Sequence, residues 1–62
     1  MNIRAILTLE EVAAILKTSV KTVRRRIASG KLRSFKEGGR VRVLESDLED
    51  YIRRQLGGAF SA

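Results

Sequence analysis

The apolar positions change their period along the chain, and each change marks an element. Leu9, Val12, Ala13 and Leu16 recur at i, i+3, i+4 and i+7, the stripe of an amphipathic helix, with Ala14 and Ile15 beside it. Thr8-Leu9-Glu10-Glu11 ahead of that stripe is a capping box: the Thr8 hydroxyl serves the N–H of Glu11, whose carboxylate bonds back to Thr8. A second stripe, Val20, Val23 and Ile27, follows after Lys17-Thr18-Ser19. Ser19 suits its N-cap and Gly30 its stop, since glycine tolerates the left-handed conformation that ends helices. Past Gly30 the period falls to two. Leu32-Arg33-Ser34-Phe35-Lys36 and Arg40-Val41-Arg42-Val43-Leu44 read as strands joined by Glu37-Gly38-Gly39. Val41, Val43 and Phe35 are expected to cover the core, leaving Arg40 and Arg42 together on the other face. Ser46-Asp47-Leu48-Glu49 is a second capping box, and Leu48, Tyr51, Ile52 and Leu56 continue a helix that Gly57-Gly58 is expected to end. Ahead of all this, Ile3, Ile6 and Leu7 suit an extended lead-in that packs in part.

Two helices, a two-stranded hairpin and a C-terminal helix in 62 residues make a small α+β domain. The expected limits are a lead-in over residues 1–6, the domain over 7–56 and a flexible tail over 57–62. Helix, three-residue turn, helix is the spacing of a helix-turn-helix, whose second helix enters the DNA major groove.

Charge supports that reading. The net charge is +6, but residues 17–42 hold ten bases and one acid, Glu37, while the remainder is acidic on balance. Positive charge gathered in one segment points to a polyanion. At about 100° per residue, Arg25 lies opposite the Val20/Val23/Ile27 stripe, with Lys21, Thr22 and Ser29 near it and Arg26 on one shoulder. Arg25 suits bidentate pairing with guanine, and Thr22 a base edge or thymine methyl. Lys21, Arg24 and Arg26 suit phosphates, Arg24 with its stem laid on the core. Thr18, Ser19 and Ser29 lie where hydroxyls meet the DNA backbone. The hairpin, with Lys36, Gly38, Gly39, Arg40 and Arg42 at its tip and on its face, is the size to touch backbone or minor groove.

What is missing narrows the rest. The chain has no histidine and no cysteine, which removes the commonest general base and metal ligands; no enzyme, cofactor, metal or small-molecule substrate is expected. Glu10 and Glu11 read as capping residues. The apolar runs are too short to span a membrane and no basic-then-apolar leader begins the chain, so the expected place is the cytoplasm.

Leu7-Thr8-Leu9-Glu10-Glu11-Val12-Ala13-Ala14-Ile15-Leu16, the segment Ser19 to Leu32, Arg40-Val41-Arg42-Val43 and Ser46-Asp47-Leu48-Glu49-Asp50-Tyr51-Ile52 together resemble the excisionase family. These are small winged helix-turn-helix proteins related to the DNA-binding domain of MerR-type regulators. The resemblance implies a MerR-like fold with groove-facing residues at Ser19, Lys21, Thr22, Arg25 and Arg26 and a wing from Lys36 to Arg42. It implies a recombination directionality factor, working in the host bacterial cell, that binds repeated sites on double-stranded DNA. Monomeric in solution, it would associate copy to copy along the DNA, bend it and help a tyrosine integrase excise a prophage or mobile element. The chain departs from the family in reading Leu32-Arg33-Ser34 where a proline often stands, and in carrying Glu37 in the wing. Three readings compete: excisionase, minimal transcriptional repressor on the same fold, and a module whose basic face meets an acidic protein. Phe60 in the tail suits a contact with the integrase or a neighbouring copy.

Overall fold

The structure, a computed structural model, describes residues 6–60. Ile3, Arg4 and the side chain of Phe60 lie outside the described residues. The elements run β1 (Ile6–Thr8), α1 (Leu9–Leu16), α2 (Val20–Ala28), β2 (Phe35–Glu37), β3 (Arg40–Leu44) and α3 (Glu45–Phe60). This is the winged helix-turn-helix arrangement, with one strand more than the expected hairpin. β1 pairs antiparallel with β3, Leu7 opposite Val43, so β3 is the middle of a three-stranded sheet ordered β1-β3-β2.

The capping box at Thr8 forms as expected: the Glu11 N–H donates to Thr8 Oγ1 at 3.0 Å, and the Thr8 N–H to Glu11 Oε1 at 2.8 Å. α1 then ends at Lys17, whose φ of 55° and ψ of 49° are left-handed. The N–H groups of Lys17 and Thr18 return to the carbonyls of Ala14 and Ala13, which closes the helix without a glycine. α2 ends by the same device on Gly30, φ 81°: the Gly30 N–H bonds the Ile27 carbonyl, and the Lys31 N–H the Arg26 carbonyl.

The core holds Leu9, Val12, Ala13, Val23, Leu32, Val43, Leu48 and Tyr51, with Leu7, Leu16, Val20, Ile27, Val41 and Ile52 packed around it. Every helical stripe read from the sequence therefore faces inward. Leu56, in the C-terminal part of α3, is the exception at 51% exposed.

Five expectations are corrected. The first hairpin strand is Phe35–Glu37, and Leu32 is a loop residue, only 2% exposed, buried where the chain turns back from α2. The turn is Gly38-Gly39 alone, φ 58° and 80°, with Glu37 paired to Arg40. A turn of two residues instead of three shifts the register by one, and a shift of one reverses the faces. Phe35 therefore stands opposite Arg42, on the face away from Val43, and does not join the core. α3 begins at Glu45, directly after β3, so Ser46 lies inside its first turn and no Ser46–Glu49 box forms among the described residues. The same helix passes through Gly57 and Gly58 to Phe60, because glycine weakens a helix without forbidding it.

Candidate nucleic-acid interface

α2 is held at its start by Ser19, in extended backbone, whose Oγ accepts the Thr22 N–H at 3.1 Å. The Ser19 hydroxyl then donates to Thr22 Oγ1 at 3.1 Å. Of this pair Ser19 has spent its proton, while the Thr22 hydroxyl still has one to donate. Val23 is fully buried and fixes the rotation of the helix. That rotation leaves Lys21 and Arg25, one turn apart, exposed on the outer face with Ser29. Ser29 donates to the Arg26 carbonyl at 3.0 Å, so its hydroxyl offers acceptor capacity only.

The two shoulders of α2 differ. On one, Arg26 and the half-buried Thr22 border a cleft of about 210 Å³ with Thr18, Tyr51 and Gln55. On the other, Arg24 is exposed and borders a cleft of about 350 Å³ with Leu9, Glu10, Arg40, Val41 and Arg42. Arg25 and Arg26 also share a hollow with Lys31 at the end of the helix.

The hairpin carries its cations unequally. Arg42, in the middle strand, has Thr8 opposite it on one side and Phe35 on the other. Its side chain is 22% exposed, and its Nε lies 3.8 Å from Glu37 Oε1. Arg40 is exposed on the same face nearer the turn, and Lys36 is exposed on the face that carries Val41 and Val43.

The second helix of the pair thus presents a basic outer face and has no acid in its first turn, whereas α1 and α3 both have acids there. A family model described as the helix-turn-helix domain matches residues 6–56. The chain belongs to the helix-turn-helix domain family. Neither a curated protein nor a solved structure is significantly similar to it. The family is one of DNA-binding domains that read sequence on double-stranded DNA, and α2 is the helix-turn-helix domain's second helix.

Within this domain the expected residues fall into separate groups. Lys21, Arg25 and Ser29 share the outer face, Thr18, Thr22 and Arg26 one shoulder, and Arg24 the other with Arg40 and Arg42. Three residues near the site carried no sequence expectation of touching DNA. Lys31 reaches the end of α2 because the closing bond to Arg26 folds the chain back, and Gly30 was the available signal. Gln55 comes from α3, one turn beyond the buried Tyr51, a spacing visible in the stripe. Glu10 stands beside the hairpin, which only the tertiary fold reveals. No described helix is long and apolar enough to cross a membrane, and no group of side chains among the described residues is arranged to hold a metal ion.

Proposed function

We propose that this helix-turn-helix domain seats α2 in the major groove, with Arg25 and Thr22 reading bases. Ser19, Lys21 and Arg26 line the same groove. Thr18, Arg24 and Ser29 meet the backbone, and the hairpin from Lys36 through Gly38, Gly39, Arg40 and Arg42 lies on the neighbouring backbone or minor groove. The observation that carries this is the acid-free outer face of α2, fixed in rotation by the fully buried Val23. Nine residues of helix are about 13 Å long, a match to a major groove about 12 Å wide. The broader role is that of an excisionase: it binds repeated sites at an attachment region, bends the DNA and promotes integrase-mediated excision. That step rests on the resemblance of the residue pattern from Leu7 to Ile52.

Footprinting on attachment-region DNA, with rising protein concentration, tests it. Adjacent tracts in direct repeat that fill together on bent DNA support the excisionase. One palindromic tract over a promoter, filled by two copies, replaces it with a repressor. Neutralising about six phosphates gives a log–log salt slope of roughly −5 on duplex DNA, and a flat slope removes the DNA reading in favour of a protein partner.

A further inference from the structure

Glu10 and Glu11 are neighbours with different surroundings. Glu11 is consumed by the capping box. Glu10 is exposed, makes no side-chain hydrogen bond or ion pair among the described residues, and borders the cleft between α2 and the hairpin. That cleft is otherwise basic, bordered by Arg24, Arg40 and Arg42. Arg42 is drawn to Glu37, whereas Arg24 and Arg40 have no acidic partner among the described residues.

The cleft has a geometric meaning once α2 is placed in a major groove. One sugar–phosphate strand separates that groove from the adjacent minor groove. If α2 lies on one side of it and the hairpin on the other, the strand runs between them. We infer that this cleft seats one phosphodiester strand of duplex DNA, held by Arg24 and Arg40, and that Glu10 is a counter-charge there that limits affinity for phosphate as such. The inference rests on the seating of α2 proposed above. A carboxylate beside a phosphate repels it whatever the base sequence, so Glu10 lowers binding to all duplexes alike and leaves sequence ranking to α2. Its effect is opposite in sign to that of the arginines across the cleft.

The test uses the whole chain, a random-sequence duplex and fluorescence anisotropy over a range of salt, with thermal melts confirming that each variant folds. Glu10→Gln is expected to tighten binding by roughly three- to tenfold, the scale of removing one solvent-exposed charge several ångströms from a phosphate in a water-like dielectric. Glu45→Gln is the control. It removes the same charge from the same kind of position, the first turn of a helix, about 16 Å along β3 from Arg40. It is expected to change binding by less than about twofold. Arg24→Ala and Arg40→Ala are each expected to make the salt slope shallower by about 1. A gain for Glu10→Gln no larger than for Glu45→Gln overturns the role of Glu10, and unchanged slopes for both arginine variants overturn the strand seat. Failure of the unmutated chain to bind duplex DNA in a salt-dependent way overturns the seating of α2 as well. A steep slope for that chain, with silent cleft variants, removes the cleft alone.

Discussion

Ser19 stands where fold and interface meet, and two substitutions there separate the two roles. Its Oγ accepts the Thr22 N–H at 3.1 Å, the N-cap of α2. Ser19→Ala removes that acceptor at an exposed position, which costs about 1 kcal/mol. At roughly 0.05–0.15 kcal/mol per residue the domain has only about 3–9 kcal/mol of stability. The loss corresponds to a fall in Tm of about 4–8 °C. Ser19→Asp restores the acceptor and adds a negative charge where the helix dipole favours one by about 0.3–1 kcal/mol. Since α2 has no acid of its own in the first turn, Ser19→Asp is expected to melt at or above the temperature of the unmutated chain. On DNA the order changes. With α2 seated as proposed, the new carboxylate would lie beside DNA phosphate, so Ser19→Asp is expected to bind about tenfold more weakly and Ser19→Ala to lose much less. Thermal melts followed by circular dichroism give the first ranking and duplex anisotropy the second. A fall in Tm for Ser19→Asp as large as for Ser19→Ala refutes the cap, and full affinity for the aspartate variant refutes the placement of this helix end against DNA.

Val23→Ala and Val43→Ala each empty a fully buried site and are expected to cost about 2 kcal/mol in urea titration, whereas Leu56→Ala, 51% exposed, stays within about 0.5 kcal/mol. An alanine Cβ at Gly38 or Gly39 meets no atom within 4 Å, so its cost is the left-handed backbone alone, about 1–2 kcal/mol, while Gly38→Asn restores the preferred Asn-Gly turn and costs little. The urea midpoints of these three variants check the turn. Arg25→Ala is expected to lose about 1–3 kcal/mol of binding and to relax sequence preference, and equal losses on specific and random DNA would falsify its role in base readout. Arg42→Ala is expected to weaken all sequences alike, and less than Arg40→Ala, because Glu37 already draws its charge; anisotropy on the same duplexes checks it.

The helices were legible because their signals are local. The Thr8–Glu11 box, the Ser19 cap and the Gly30 stop each act within a few residues, and each stands where the sequence places it. What escaped depends on distant partners or leaves no residue signature. β1 exists only because residues 42–44 come to lie beside Ile6–Thr8. Lys17 takes a left-handed conformation that nothing in a lysine announces. α3 starts straight out of β3, so the Ser46 signal went unused. The outer face of α2 followed from helical period alone, whereas Lys31, Gln55 and Glu10 reach the site by tertiary folding.

The hairpin is where a small misreading has the largest functional consequence. A three-residue turn gives Phe35 to the core and leaves Glu37 in the bend. The two-residue Gly38-Gly39 turn makes Glu37 a strand residue on the same face as Arg40 and Arg42. Arg42, flanked by Thr8 and Phe35 and drawn to Glu37, becomes the most covered of the wing's bases. The freely exposed cations of the hairpin are then Arg40 on one face and Lys36 on the other. A ribbon lying along a groove has a phosphate strand on each side of it. With the hairpin lying on a groove as proposed, Arg40 and Lys36 would each meet a different strand. Lys36→Ala and Arg40→Ala should accordingly weaken DNA binding by similar factors and add when combined, as independent contacts do.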